Sequence, residues 1–471
     1  MTVEQIYTGC LAEASYYIES NGEAAVIDPL RESFPYLERA EKDGSKIKFV
    51  FETHFHADFV SGHIDLAKKA GGQIVYGPNS KTGFEAIHAV DGQEFKVGDI
   101  TIIAMHTPGH TLESTTWLLR DGDGKDHCIF TGDTLFIGDV GRPDLAQKMG
   151  ELTQDDLAGM LFDSLRSKIM PLADEVIVYP AHGAGSACGK NMSSETSATL
   201  GDQKKFNYAL RADMTRDEFI NEVTAGLAPP PKYFPENVRL NKDGYAAIDE
   251  VMQRGQSTYS PQEFKALAAS NNALIIDTRT QDEFPKGFIP GSIFIGLDGN
   301  FAPWVGALFP DVDRAILLIT EDGKEEEAVR RLSRVGYDNC LGILAGGIEA
   351  WKAAGFEIDK IEEVETADFA AYYQSKDPSN YPSENSAVLD VRKASEYDSG
   401  HLEHATLCTL DFIDTESCTL DASKTYHIHC QSGYRSMIAT SILKTKGYSN
   451  LVNIKGGFDA LEQLIPMVIT A

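Results

Sequence analysis

Short apolar runs, each stopped by a polar or glycine-containing loop, set the rhythm of the first half of the chain. KIKFVF, ITIIAM, HCIF and EVIVY are rich in β-branched and aromatic side chains and read as buried strands. Stretches with helical spacing lie between such runs; SGHIDLAKKAGG is one, behind the loop that follows KIKFVF. Strands alternating with helices predict an α/β domain over residues 1–240. A proline-rich stretch, APPPKYFPENVR (228–239), closes this half and reads as a linker.

The remainder repeats itself. LIIDTRTQDEF (274–284) resembles VLDVRKASEY (388–397), so Asp277 and Arg279 recur as Asp390 and Arg392. Farther along, RVGYDNCLGILAGGIEAW and TKGYSNLVNIKGGFDAL share Gly346-Gly347 and Gly456-Gly457. Each copy is domain-sized and begins strand, Asp-x-Arg, helix, which predicts a parallel sheet. Three domains are expected, over 1–240, 245–360 and 361–471.

Charge narrows the partners. Asp and Glu number 71 against 42 Lys and Arg, a formal charge of −29. Such a surface repels nucleic acid and anionic membranes. No apolar run reaches spanning length, and MTVEQIYTGC lacks the basic-then-apolar pattern of a secretory signal, so a cytoplasmic location is expected. The cysteines (Cys10, Cys128, Cys188, Cys340, Cys408, Cys418 and Cys430) are scattered, with no C-x-x-C pair. That pattern argues against a disulfide framework and a thiolate zinc site, and free thiols are expected.

The loops after the apolar runs carry the chemistry. KIKFVF leads to THFHAD, ITIIAM to HTPGH, HCIF to TGDTLF and EVIVY to PAHG, which places His54, His56, Asp58, His110, Asp133 and His182 in loops at strand ends. Such loops gather at one rim of an α/β sheet, and histidine and aspartate are ordinary first-row metal ligands. One histidine in a loop means little; four such loops make a metal site.

THFHAD, TPGHT, FTGD and YPAHG, in this order, resemble the metallo-β-lactamase fold. The resemblance covers about half of the chain and implies an αββα sandwich with metal at one edge. The glyoxalase-II-like hydrolases of that superfamily hold two metals and need a histidine after the aspartate. Here that position is Phe59, which offers no lone pair. The persulfide dioxygenases of the superfamily hold a single iron with two histidines and a carboxylate. The resemblance therefore implies His54, His110 and Asp133 as ligands of one Fe(II) per chain, with His56, Asp58 and His182 lining the site. It also implies that Arg142, in GRPD, faces the substrate's thiol carrier. Glutathione-using members carry Asp-Tyr after the last histidine, where this chain has Gly183-Ala184, so a bulkier carrier such as coenzyme A is admitted. Cys188 is within reach of the site, though base rates favour a small buried hydrophobe there. Cys10 has less to mark it.

In the second copy, HCQSGYRSM places Cys430 on a tight loop before a helix. Successive backbone N–H groups and a helix N-terminus cradle an anion, and Arg435 adds charge, which together favour a thiolate or persulfide. Cys-x-x-Gly-x-Arg-Ser resembles the active loop of the rhodanese sulfurtransferases, and the Asp-x-Arg and Gly-Gly landmarks match too. That implies Cys430 and Arg435 as catalytic residues, with Gln431, Ser432, Gly433, Tyr434 and Ser436 around the bound anion. Aligned on Gly323 and Gly433, the first copy has Thr320 for Cys430 and Glu325 for Arg435. It has no nucleophile and its carboxylates repel an anion, so it reads as an inactive rhodanese-like domain.

As a whole the chain resembles the bacterial persulfide dioxygenase–rhodanese fusions of the CstB-like type. The resemblance implies a sulfide-detoxification enzyme that oxidises glutathione or coenzyme A persulfide with O2 to sulfite and thiol, and makes or consumes thiosulfate at Cys430. A homo-oligomer is expected. Two other readings stand beside it: a zinc thioester hydrolase of the glyoxalase II type fused to a sulfurtransferase, and a non-catalytic sulfur carrier or sensor.

Overall fold

The structure, a computed structural model, describes residues 1–147, 152–375, 385–413 and 418–470. The chain divides into two compact units: residues 1–250 with 333–338, and residues 251–332 with 339–471.

The first unit contains two six-stranded sheets. One runs β1 (Thr2–Thr8), β2 (Glu13–Ser20), β3 (Glu23–Ile27), β4 (Lys46–Phe51), β5 (Gln73–Tyr76), β6 (Ile87–His88) in spatial order. The other comprises β7 (Glu94–Val97), β8 (Ile100–His106), β9 (Thr115–Arg120), β10 (Asp126–Gly132), β11 (Ile177–Pro180) and β12 (Ala198–Thr199), ordered from β12 to β7. Side-chain alternation explains the layers. Tyr16, Ile18, Ile27, Phe51, Ile102, Trp117 and Phe130 point between the sheets into one core. Their neighbours Tyr17, Val26 and Val50 face Tyr36 and Leu66, which belong to the helices Phe34–Asp43 and His63–Ala70. Ile103, Leu118 and Ile129 face Leu161 and Phe219, from the helices Gln154–Ser164 and Arg216–Thr224. Helices thus cover both outer faces of the paired sheets, the αββα sandwich expected from the sequence.

The proline-rich stretch is not a spacer. Residues 234–243 form a helix, with Pro235 in its first turn where a missing N–H costs nothing. Asn241 on that helix donates to the carbonyls of His56 and Phe59, each at 2.8 Å, and accepts from the Ser61 amide. The Tyr233 hydroxyl donates to the carbonyl of Asp58. A segment that reads as a linker is the back wall of the THFHAD loop.

The second unit holds both copies of the repeat. Each is a five-stranded, all-parallel sheet with the same connectivity. The first copy has β13 (Thr258–Tyr259), β14 (Leu274–Asp277), β15 (Ile293–Phe294), β16 (Ile316–Ile319) and β17 (Cys340–Leu344), in the spatial order 13-17-16-14-15. The second has β18 (Glu362–Val364), β19 (Ser386–Asp390), β20 (Thr406–Leu407), β21 (Thr425–His429) and β22 (Leu451–Ile454), in the order 18-22-21-19-20. The Asp-x-Arg signature is the same buried fork in both: Arg279 grips Asp277 and the Gly287 carbonyl, and Arg392 grips Asp390 and the Gly400 carbonyl.

The expectation of free thiols fails at one pair. Cys408 and Cys418 form a disulfide with their Cα atoms 5.5 Å apart. Their separation of 10 residues carried no motif. Among the described residues, no helix is long and apolar enough to cross a membrane.

Trp117 is fully buried between the sheets, its ring 4.6 Å from that of Phe51, and its Nε1 donates to the Glu52 carbonyl. Trp117→Ala is expected to destabilise the protein by about 3–5 kcal/mol in urea denaturation.

Candidate metal centre and cysteine loop

Four strand ends bring ligand-type side chains to one place. His54, His56 and Asp58 follow β4, His110 follows β8, Asp133 follows β10 and His182 follows β11. One atom each from His54, His110 and Asp133 lies within 4.8 Å of the others; the same holds for His56, Asp58 and His182, for Asp133, His182 and Cys188, and for Asp28, Glu52 and His56. All of these residues are buried. Asp133 stands between the sets. Its Oδ2 lies 3.4 Å from His110 Nε2 and 3.9 Å from His54 Nε2, and its Oδ1 lies 3.6 Å from His182 Nε2.

The far side of each imidazole decides which nitrogen points inward. His110 Nδ1 donates to the Arg142 carbonyl at 2.9 Å, and His182 Nδ1 to the Ala12 carbonyl at 3.2 Å. His54 Nδ1 lies 2.9 Å from Thr53 Oγ1, whose own proton goes to Asp28 Oδ2 at 2.8 Å. The hydroxyl therefore accepts from the ring. With the proton on Nδ1, the Nε2 lone pair faces Asp133 in all three. Burial, with the neighbouring His56, His110 and His182, holds His54 well below the usual imidazole range and keeps it neutral. Neither Asp133 oxygen has a hydrogen-bond partner, nor does His182 Nε2. Converging lone pairs without donors are costly when buried, and a cation is what relieves them. These residues fit a metal ion.

His56 faces a different set of groups. Its Nε2 lies 3.1 Å from Asp28 Oδ1 and 3.5 Å from Glu52 Oε2. Burial opposes a charge on the ring, but Asp28, Glu52 and Asp58 outweigh it and push the imidazole up to about 10. Phe59, fully buried, lays its ring over that of His56 with centroids 4.4 Å apart. His182 Nε2 is 3.3 Å from Asp58 Oδ2. Cys188 does reach Asp133 and His182, and burial followed by the carboxylates of Asp58 and Asp133 keeps its sulfur protonated.

Arg142 does not offer the free guanidinium expected of it. Nε and one terminal nitrogen grip Asp144 at 2.6 and 2.7 Å, and the remaining donors go to the carbonyls of Ala187 and Ala228. The nearest carboxylate, two residues on, has taken the fork, and the part of Arg142 facing the metal centre is its carbonyl, on His110.

Several residues of the site carry no motif and were missed by the sequence reading. Glu13 is fully buried with both oxygens unpartnered, and burial holds its carboxyl well above the usual range against the pull of His56. Burial also holds the Glu52 carboxyl well above the usual range, although its Oε1 accepts from Ser61 Oγ at 2.6 Å. Lone carboxylates inside the apolar runs LAEASYY and FVFETH were the available signal. Asp28 and Thr53 gave none, because their roles rest on tertiary hydrogen bonds.

The cysteine loop is built by its carbonyls as much as by its amides. Gly456 and Gly457 adopt left-handed angles (φ 73° and 58°), and a Cβ on Gly457 would lie 2.6 Å from the carbonyl oxygens of Cys430 and Gln431. Only glycine lets the helix Gly457–Leu461 approach so closely; its Phe458 and Asp459 amides then bind those two carbonyls. With the carbonyls held behind, the Gly433 amide turns to Cys430 Sγ at 3.2 Å. Ser436 fastens the loop to Gly433 and Asn453, and Gln431 bonds Asp459. Ser432 is exposed. Arg435, expected to add its charge to the loop N–H groups around the sulfur, places both terminal nitrogens on Glu396 at 2.6 and 2.7 Å. In the first copy Gly346 and Gly347 keep the same left-handed angles, and Thr320 occupies the nucleophile's position.

Residues 8–182 match the metallo-beta-lactamase superfamily, and residues 260–354 and 376–464 each match the rhodanese-like domain. A solved structure of a metallo-beta-lactamase from Staphylococcus aureus subsp. aureus COL is 32% identical and superposes with a TM-score of 0.66, covering 73% of this chain and 99% of its own. The structure of ETHE1 from Myxococcus xanthus is 27% identical, with a TM-score of 0.44, and covers 51% of this chain and 98% of its own. Among curated proteins, a cytoplasmic hydroxyacylglutathione hydrolase from Arabidopsis thaliana is 36% identical over 138 residues, 28% of this chain and 53% of that protein.

Thr53→Val removes the hydroxyl that links His54 to Asp28 while keeping side-chain volume. It is expected to weaken metal binding by about 10–100-fold in chelator competition, with the circular dichroism spectrum unchanged.

Proposed function

Because the chain belongs to the metallo-β-lactamase superfamily and carries two rhodanese-like domains behind that fold, we propose that it is a bifunctional sulfur enzyme, oxidising a low-molecular-weight thiol persulfide and transferring sulfane sulfur. The single observation that carries the reading is the triad His54, His110 and Asp133, two imidazoles and a carboxyl group converging from three strand ends, with Phe59 where a second metal would want an imidazole. His54, His110 and Asp133 would hold an iron(II), which when bound would supply sites for substrate and dioxygen and electrons for dioxygen. The chain's own residues orient and exclude. The Arg142 carbonyl and Thr53 Oγ1 fix the two imidazoles. Phe59 and Phe136, both fully buried, keep water from the flanks of His56 and His182. Atoms balance when persulfide, O2 and one water give thiol, sulfite and two protons.

At the second site the Cys430 thiolate attacks the terminal sulfur of a persulfide, becomes Cys–S–S⁻ and releases the thiol. The Gly433 amide holds the sulfur's charge. Sulfite then attacks the outer sulfur, giving thiosulfate and restoring the thiolate. Arg435, tied to Glu396, braces the loop against the helix Ala394–Ser399. Because Arg142 is committed to Asp144, the carrier, glutathione or coenzyme A, is recognised by other groups.

A second reading has support of its own. His56, Asp58 and His182 form a second cluster beside the first, with Asp133 between them, as a two-metal thioester hydrolase would use. Oxygen consumption separates the two. Protein loaded with Fe(II) is expected to consume O2 with glutathione persulfide or coenzyme A persulfide and release sulfite, and Zn(II)-loaded protein to consume none. Cleavage of an acyl-thioester by the zinc form, with no oxygen uptake by the iron form, would favour the hydrolase. Cys430→Ser is expected to end thiosulfate formation while oxygen uptake continues.

A further inference from the structure

The first rhodanese-like copy has lost its nucleophile yet keeps a socket for one side chain of the second copy. Tyr434 is the residue after Gly433 and the first of the helix Tyr434–Thr445. Its hydroxyl donates to the Gly296 carbonyl at 2.7 Å, and its ring meets the Phe294 ring edge-on at 5.6 Å. The ring lies against Gly299, where a Cβ would fall 2.3–2.7 Å from its carbons, so no other residue type fits there beside it. The socket's wall is itself held: Arg331, buried, donates to the carbonyls of Leu297 and Gly299 at 2.5 and 2.9 Å. A second contact falls on the loop itself, where a Cβ on Gly433 would lie 3.5 Å from the Gln281 amide nitrogen. The Phe294 amide also donates to Ser441, two turns along the same helix. The relation is one-sided. At the position matching Tyr434 the first copy has Lys324, whose ammonium pairs with Glu327 on its own helix.

We propose that the inert copy positions the Cys430 loop: Tyr434, seated in the socket formed by residues 294–299, sets the direction of the helix N-terminus and of the Gly433 amide on the sulfur. The inference rests on the reading of Cys430 as the nucleophile. Tyr434 is then a positioning residue that touches no substrate, and the first copy has been retained for its surface after losing its chemistry.

The test uses the full chain. Tyr434→Phe deletes only the hydroxyl, and Gly299→Ala fills the space under the ring. Three quantities are read: kcat and KM for thiosulfate formation from persulfide and sulfite, the rate at which iodoacetamide alkylates Cys430 (followed by peptide mass spectrometry), and the melting temperature. Tyr434→Phe is expected to lower kcat and the alkylation rate together, by about tenfold, with KM for sulfite unchanged. Gly299→Ala should do the same, and the double variant should fall no further than the worse single one, because both act through one contact. A lower melting temperature with kcat and alkylation unchanged would make the contact merely structural and overturn the proposal, as would additive losses in the double variant. Cys430→Ser is run beside them. Thiosulfate formation surviving in that variant would sink the assignment of the nucleophile itself, whatever Tyr434 does.

Discussion

The metal centre depends on one carboxylate that would not itself touch the metal. Asp28 ends β3 and accepts from the Thr53 amide at 2.7 Å and from Thr53 Oγ1 at 2.8 Å, with His56 Nε2 at 3.1 Å. Through Thr53 it fixes the tautomer of His54, and directly it holds His56. Asp28 adopts φ 48°, a left-handed angle that a non-glycine residue occupies at a cost of about 1–3 kcal/mol. Hydrogen bonds to a charged group are worth about 1.5–3 kcal/mol each, so the two from Thr53 offset the backbone cost. The first half of the THFHAD loop is thus held at its base before any cation arrives.

The sequence showed what repeats and what alternates. The strand-end loops, the two copies and the cysteine loop were legible because each rests on local pattern: nearly continuous buried runs in β4, β8 and β10, the paired Asp-x-Arg signatures, and glycines at fixed places. What it concealed was partnership. A lone arginine reads as an available cation, yet Arg142 is closed by Asp144 two residues away and Arg435 by Glu396 thirty-nine residues away. The proline-rich stretch read as a linker because prolines break periodicity, but Pro235 sits in the one turn of a helix that tolerates it. Asn241 reaches His56 across 185 residues, a distance at which no pattern speaks. The Cys408–Cys418 pair escaped because its ten-residue spacing carries no motif.

The two rhodanese-like copies separate scaffold from chemistry. Sheet order, the buried arginine fork and the left-handed Gly-Gly turn are common to both. At the nucleophile loop the copies part, with Thr320 against Cys430 and Glu325 against Arg435. The Gly-Gly turn holds the carbonyls of the Cys430 loop through the Phe458 and Asp459 amides, with no help from the nucleophile's own side chain. A loop built that way keeps its form when its nucleophile is lost, and an inactive copy costs the fold little.

The helix Phe234–Asp243 bears on how the protein can be taken apart. The recognised superfamily match stops at residue 182, and a fragment cut there would lose Asn241 from the carbonyls of His56 and Phe59, Tyr233 from that of Asp58, and the Ala228 carbonyl from Arg142. Extending the cut to residue 250 restores those, yet the first unit also contains residues 333–338. From that stretch Arg334 pairs with Glu32 and receives the Val60 amide on its carbonyl, and Asp338 pairs with the buried Arg31. Any linear piece that contains the whole first unit must run to residue 338, inside the first rhodanese-like match. Dissecting the protein by truncation would leave Glu32 and Arg31 without those partners beside the THFHAD loop, a loss costly for buried charges. Point substitution, rather than excision, is the means of studying each site by itself.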